Sequence, residues 1–124
     1  MNSLAAIFVG GGLGSLARYG VGKWMQIVLP IAFPYGTLVA NTLSSFLVGI
    51  FIGITAGKTD DDNPWRFFIT VGFCGGLSTF STFSAETFEL FRNGMMLYGG
   101  LNILFNLAVC LLMIGVGMWL GKLF

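Results

Sequence analysis

The sequence contains very few charged residues and no histidine. Of its 124 residues, six are Lys or Arg and five are Asp or Glu, whereas an average soluble domain of this length carries about 31 charged residues. So few charges cannot cover a water-exposed surface, which excludes a soluble globular domain. The formal net charge of +1 offers no basic surface for nucleic acid. Because histidine, the most common general base and metal ligand, is absent, an enzyme is the least favoured class.

A disulfide framework is not expected either. The two cysteines, Cys74 and Cys110, both lie inside apolar runs, which is atypical of disulfide-stabilised secreted domains. Hydrophobic residues make up 56% of the chain. We therefore interpret residues 1–124 as a single integral membrane domain surrounded by a lipid bilayer.

Charged residues and prolines divide the chain into four apolar segments, each close to the ~20 residues that a spanning helix needs. The first segment, residues 1–17, precedes Arg18. Pro30 and Pro34 separate it from the second, and the polar loop 58–64 separates the second from the third. The last three spans are expected at about Gly36–Gly57, Trp65–Ala85 and Met95–Gly121. The pattern predicts an all-α protein with four transmembrane helices.

The distribution of positive charge predicts no preferred orientation. One side of a four-span protein would hold Lys58, Arg66 and Lys122, and the other would hold Arg18, Lys23 and Arg92. Most membrane proteins show a bias of Lys and Arg toward the cytoplasm. The tie therefore predicts insertion in both orientations, which permits an antiparallel homodimer, although so small a count can also tie by chance.

Glycine is abundant, with 19 residues in the chain. Small residues four positions apart let helix backbones approach closely inside a membrane. This spacing occurs at Gly10 and Gly14, at Gly49 and Gly53, and at Gly117 and Gly121. We expect these glycines to pack helices tightly.

Polar residues inside the spans carry the functional signal, because hydrocarbon offers them no hydrogen-bond partner. The second span has Thr37, Asn41, Ser44 and Ser45 on one of its helical faces. The fourth span likewise has Asn102, Asn106 and Cys110 on a single face. The third span contains five hydroxyls in residues 78–84, after two adjacent glycines. We expect the helix to break at Gly75–Thr79. The alternative is that the hydroxyls bond back to the preceding turn and bend a continuous helix.

These polar groups are neutral, and no acidic residue is expected deep in a span. A proton- or cation-coupled pump would normally carry one, so the donors suit an anion or a small neutral solute. The aromatic rings of Phe80 and Phe83 share a face, and their positively polarised edges could assist a desolvated anion. A phenylalanine pair at this spacing is also common in ordinary packing.

Three stretches resemble the Fluc fluoride channel family, also called CrcB. They are GGLGSLARY at residues 11–19, GTLVAN at residues 36–41 and GFCGGLSTFSTFSAE at residues 72–86. The third stretch is long and specific, and the resemblance covers essentially the whole chain.

The resemblance implies an antiparallel dual-topology homodimer with two fluoride pores, which passively exports cytoplasmic fluoride through the cell (inner) membrane. It implies a structural sodium ion at the dimer centre, held by backbone carbonyls of Gly75 and Ser78. The matching pore positions are Phe80, Phe83, Asn41, Asn102, Asn106, Cys110, Thr37, Ser81 and Thr82. Arg18 matches the arginine of the first helix, and it could anchor the end of that helix or pair near a pore entrance. Glu86 could shape an entry vestibule or form a solvated helix end.

Two positions depart from the family pattern. Ser78 stands where threonine is common, which a backbone carbonyl ligand tolerates. Cys110 stands where serine is frequent, and a thiol is a weaker hydrogen-bond donor.

Two other functions compete with the channel. A small multidrug-resistance exporter needs a membrane-embedded Glu in its first helix, and no acidic residue precedes Asp60. A non-transporting membrane subunit would use the same Asn, Ser and Thr side chains only to hold its helices together.

Overall fold

The computed structural model describes residues 2–29, 32–58 and 61–124, and within these ranges the regular structure is entirely helical. Four helical segments are long and apolar enough to cross a membrane. They are α1 (Ser3–Val28), α2 (Tyr35–Thr55), a composite third span (Pro64–Arg92) and α6 (Met96–Gly121). The predicted all-α, four-span architecture is confirmed. Pro30 and Asp60, which the sequence places in connecting loops, lie outside the described residues.

Local signals explain where these helices begin and end. The side chain of Asn2 accepts the N–H of Ala5 and caps α1. Asn63 caps the third span, which has Pro64 in its first turn, where a missing N–H costs no helical bond.

The third span extends seven residues beyond the predicted end at Ala85 and stops at Arg92. Gly94, with φ of 78°, lies just after the helix, and Met95 N–H donates to Leu90 C=O across it. This is a Schellman ending, which requires a left-handed residue such as glycine. The charged residues after Ala85 therefore belong to the last turns of the helix.

The third span is not one regular helix. It runs as α3 (Pro64–Arg66), a π-helical segment (Phe67–Phe73), α4 (Cys74–Leu77) and, after two extended residues, α5 (Phe80–Arg92). The π-helical segment ends with Cys74 N–H donating to Ile69 C=O, five residues earlier. Such segments are frequent at functional sites.

The break is shorter than the predicted range Gly75–Thr79. Only Ser78 and Thr79 are extended, with ψ of 155° and 122°, while Gly75 and Gly76 remain helical. Packing explains the difference at Gly76, because a side chain there would overlap the carbonyl oxygen of Gly11 on α1. Gly76 therefore serves the close packing of the third span against α1 and does not interrupt the helix.

Glycines pack the spans closely, as the GxxxG spacings predict. On α1, a side chain at Gly10 or Gly14 would overlap a backbone carbonyl of the third span. Between α2 and α6, Gly49, Gly53, Gly117 and Gly121 lie equally close to the facing backbone. These glycines bring α1 close to the third span and α2 close to α6.

Much of the outer surface is apolar. Phe8, Leu4 and Ile27 of α1 are 83%, 79% and 78% exposed, and large apolar side chains are exposed on every span. Lipid chains are the natural environment for such a surface. The chain is a multi-pass membrane protein.

Candidate functional site

The break in the third span is stabilised by Asn41 of α2. The N–H of Thr79 donates to Asn41 Oδ1 at 2.8 Å, and Asn41 Nδ2 donates to the Thr79 carbonyl at 3.4 Å. One amide therefore pairs with both backbone polar groups of an extended residue. Thr79 also caps α5, since its Oγ1 accepts the N–H of Thr82 at 3.3 Å.

These bonds release the carbonyls of Gly75 and Ser78 from their helical partners. In a continuous helix the N–H groups of Thr79 and Thr82 would donate to those two oxygens, but they donate to Asn41 and to Thr79 Oγ1 instead. Gly75 is exposed and has open space beside it. Neutral backbone oxygens at a helix break are the type of ligand that holds sodium in membrane proteins. The described residues contain no cluster of His, Cys, Asp or Glu suited to a metal ion.

A concavity of about 240 Å³, here called the pore concavity, opens beside the break. Its lining is Asn41, Ser45, Ser78, Thr79, Phe80, Phe83, Asn106, Leu107 and Cys110. Five of the nine predicted pore residues thus lie together, drawn from α2, α5 and α6. Sequence reasoning placed Ser45 on the polar face of α2 but did not assign it to the pore.

The two phenylalanines form one wall of the pore concavity. Their ring centroids are 5.7 Å apart with planes inclined at 49°. Phe80 is 78% exposed, whereas an apolar ring in the interior of a chain is covered by neighbouring side chains. Its exposure leaves the concavity open on the side of Phe80.

Asn106 and Asn102 extend the polar contacts into the bundle. Asn41 Nδ2 donates to Asn106 Oδ1 at 3.0 Å, and Asn106 Nδ2 donates to Asn102 Oδ1 at 2.9 Å. Asn102 is fully buried and does not line the pore concavity. It donates to Thr87 Oγ1 at 2.8 Å, so it supports the site from behind.

Thr87 is a further residue that sequence reasoning missed. The predicted third span ended at about Ala85, which left Thr87 outside the span, among the charged residues that close it. Its spacing was an available signal, because residues four and eight positions earlier, Phe83 and Thr79, share its helical face. Burial confirms that face, since Thr87 is only 7% exposed.

Thr37 and Glu86 lie away from the pore concavity. Thr37 Oγ1 donates to Glu86 Oε1 at 2.8 Å, and both line a second concavity of about 270 Å³ at the start of α2. Glu86 therefore lies inside the third span, but level with the first turn of α2 and near one end of the bundle. It stays a predicted vestibule residue.

The other predicted residues are more dispersed. Ser81 and Thr82 surround the hydroxyl of Thr79, at 3.4 and 3.2 Å, and do not line the pore concavity. Arg18 is half-buried on α1 and lines neither concavity. Among the described residues its Nε has no hydrogen-bond partner.

Fold and site together define a small multi-pass membrane protein built around a broken span, with neutral polar groups and aromatic rings at the break. A family model described as "CrcB-like protein, Camphor Resistance (CrcB)" matches residues 5–118. The chain belongs to this family.

Curated relatives agree with this assignment along nearly the whole chain. A protein of Pyrococcus horikoshii is 44% identical over 121 residues, which cover 96% of this chain and 95% of the relative. One of Pyrococcus furiosus is 42% identical over 124 residues, covering 98% of each. One of Serratia proteamaculans is 43% identical over 113 residues, covering 91% and 88%. Each relative is named "Fluoride-specific ion channel FluC", which describes an ion channel and not an enzyme.

Proposed function

We propose that this protein is a passive, fluoride-selective channel that lets cytoplasmic fluoride leave the cell across its inner membrane. The observation that carries the proposal is the pore concavity, in which Asn41, Phe80 and Phe83 meet at a helix break. The relatives named as fluoride-specific channels support it.

The chemistry of the pore concavity suits a small, strongly hydrated anion. A pore must replace the water around such an ion with closely placed donors. The amide of Asn41, nearby hydroxyls and the ring edges of Phe80 and Phe83 supply partial positive charge. The residues lining the concavity include no Asp, Glu, Lys or Arg, so no carboxylate, ammonium or guanidinium charge would trap the ion and stop conduction.

We further propose an antiparallel homodimer with two such pores. Gly75, Phe80 and Ser81 are exposed on one chain, at membrane depth beside the non-helical backbone of the break. Polar backbone at this depth persists only when protein or water covers it. A second copy inserted in the opposite orientation would cover these groups and close the open side of the concavity.

A structural sodium ion is part of the same proposal. The carbonyls of Gly75 and Ser78 are free of helical partners, and a dimer would bring two from each chain. Bound there, the ion would offset carbonyl dipoles that otherwise face each other in a medium of low dielectric constant. Replacing sodium by N-methylglucamine during purification should convert dimers to monomers in cross-linking experiments. Unchanged cross-linking would argue against the ion.

Fluoride efflux from liposomes containing the purified protein tests the channel. A fluoride electrode records release after a potassium ionophore is added, with chloride-loaded liposomes as the control. Rapid fluoride release without chloride release is the expected result. Release only in the presence of a proton gradient would indicate a coupled transporter.

A non-transporting helix-packing subunit is the second candidate, and one observation favours it. The amides of Asn41, Asn106 and Asn102 are hydrogen-bonded to one another, as helix-joining groups would be. This candidate predicts no flux of any anion from correctly folded protein, with or without a proton gradient.

Orientation in the membrane is tested separately. We expect tags at both termini to be accessible from both sides of the cell membrane, because the protein inserts in two orientations. A single orientation would contradict the antiparallel dimer but not the fluoride selectivity.

A further inference from the structure

A chain of hydrogen bonds runs from the helix break into the buried side of the bundle and back to the third span at Thr87. We propose that Thr87 is a positioning residue: it fixes the orientation of the buried amides, so that Asn41 and not Asn106 presents N–H groups to the anion. The proposal rests on the proposed channel function and names residue roles within that site.

The direction of the chain is fixed at its inner end by Thr87. Its hydroxyl donates to the backbone carbonyl of Phe83 at 2.7 Å, and a carbonyl can only accept. The single hydroxyl hydrogen is thereby used, so Thr87 Oγ1 must accept the bond that joins it to Asn102 at 2.8 Å. Asn102 must therefore direct its NH₂ group toward Thr87 and its oxygen away from it.

The orientation passes from Asn102 to Asn106. Asn106 Nδ2 donates to Asn102 Oδ1 and to the Asn102 backbone carbonyl, both at 2.9 Å. An amide NH₂ group has two hydrogens, and both are now directed to Asn102. Asn106 has only its oxygen left, and this oxygen accepts from Asn41 at 3.0 Å.

The outer end requires the same direction independently. The backbone N–H of Thr79 can only donate, and it donates to Asn41 Oδ1 at 2.8 Å. The NH₂ group of Asn41 must then face Asn106. Both ends of the chain agree, so each of the three amides has one orientation that satisfies its neighbours.

Asn41 is consequently the amide whose N–H group an anion can most easily take from its present partner. One of its N–H groups bonds to Asn106, and the other reaches the Thr79 carbonyl at 3.4 Å, the longest bond in the chain. Hydrogen bonds weaken at such distances, so an anion in the pore concavity can take this N–H at the smallest cost. Asn106, which lines the same concavity, offers no free N–H.

Burial makes the orientation depend on Thr87. Asn102 is 0% exposed and Thr87 is 7% exposed, so water does not replace the hydroxyl if it is lost. Without that acceptor, Asn102 gains by rotating its amide to find another partner. Rotation would turn its NH₂ group toward that of Asn106, so Asn106 would lose its side-chain acceptor and with it the bond that uses one of its N–H groups.

The test compares Thr87→Val, which keeps the shape and removes the hydroxyl, with Thr87→Ser, which keeps the hydroxyl. We expect fluoride efflux by Thr87→Val to fall about tenfold, the effect of one neutral hydrogen bond, and Thr87→Ser to restore it to near the original rate. Equal loss in both variants, or no loss in Thr87→Val, would overturn the proposal.

The double variant Thr87→Val/Asn102→Leu covers the case in which Thr87→Val fails to fold. Replacing both partners with apolar groups leaves no buried unsatisfied amide between them, and Asn106 still loses its side-chain acceptor and keeps only the Asn102 backbone carbonyl. We expect this variant to elute as the wild type does and to show the same reduced efflux. Normal efflux would overturn the proposal.

A measurement that does not depend on flux identifies the donor. In ¹⁵N spectra of the side-chain amides, sodium fluoride should shift the Asn41 resonance and leave Asn106 nearly unchanged, whereas in Thr87→Val the difference between them should shrink. A larger shift at Asn106 in the wild type would overturn the assignment while fluoride binding stands. No fluoride release and no shift in the wild type would overturn both this inference and the proposed function.

Discussion

Asn41 and Thr79 replace a missing turn of helix with a pair of side-chain bonds. The Thr79 N–H donates to Asn41 Oδ1 at 2.8 Å, and the same amide reaches the Thr79 carbonyl. An extended residue at membrane depth would otherwise leave two backbone groups unsatisfied, each at a cost of several kcal/mol. A residue of α2 thus stabilises an interruption in another span.

Replacing Asn41 should affect both folding and flux. We expect Asn41→Leu to lower the free energy of unfolding by about 1–3 kcal/mol, because the Thr79 N–H loses its acceptor, and to abolish fluoride efflux. Thermal unfolding in detergent and liposome efflux measure the two effects. Thr42→Val is the matched control, since Thr42 Oγ1 bonds only within its own helix, to Leu38 C=O. A conducting Asn41→Leu protein would contradict the pore assignment.

The phenylalanine wall should affect flux without supporting the fold. Phe80 is 78% exposed, so Phe80→Ile removes little packing from the single chain, and we expect efflux to fall by more than about tenfold while the elution profile stays normal. Phe88→Ile serves as control, because Phe88 is 65% exposed on the same helix and does not line the pore concavity. If Phe80→Ile prevented folding, or if both variants conducted alike, the rings would be ordinary packing or lipid contacts.

Cys110 allows the pore concavity to be probed chemically. It lines the concavity, while the other cysteine, Cys74, is 2% exposed and buried. A small methanethiosulfonate reagent should therefore modify Cys110 first and block fluoride efflux, and Cys110→Ser should conduct and resist the reagent. Unchanged efflux after stoichiometric modification of Cys110 would place this thiol outside the conduction path.

The glycine contacts should control assembly of the bundle. A side chain at Gly14 would overlap the carbonyl oxygen of Phe73, whereas Gly20 on the same helix has open space around it. We expect Gly14→Ala to destabilise the protein by about 1–3 kcal/mol, and Gly20→Ala to be neutral or slightly stabilising, because glycine is a poor helix former. Thermal unfolding of the two variants in the same detergent makes the comparison. Equal stability would show that α1 does not pack this closely.

Patterns along the chain predicted most of the fold and about half of the site. Apolar length defined four spans, and glycine spacing identified the close contacts. The position of the break was less accurate, because a glycine pair permits both an extended backbone and close packing. At Gly76 the contact with Gly11 decides between them, and this contact is visible only in three dimensions.

Thr87 could not be placed because the end of the third span was misjudged. Glu86, Glu89 and Arg92 resembled a solvated end in the sequence, although a helix can carry charges in its last turns. Thr87 was therefore not considered as a buried residue. Thr37 and Asn41 are one helical turn apart on α2, yet they line different concavities. The reason is that they face different segments of the third span: Thr37 bonds to Glu86 and Asn41 bonds to Thr79.

The glycine contacts of α1 have a consequence for how deep the break lies in the membrane. Helix α1 contributes no residue to the pore concavity, yet Gly10, Gly11 and Gly14 hold its backbone against Gly72, Phe73 and Gly76, just before the break. Sliding α1 by one turn would displace these contacts by about 5.4 Å. A helix that lines no part of the pore concavity thus sets the level at which, in the proposed channel, the ion would lose its water.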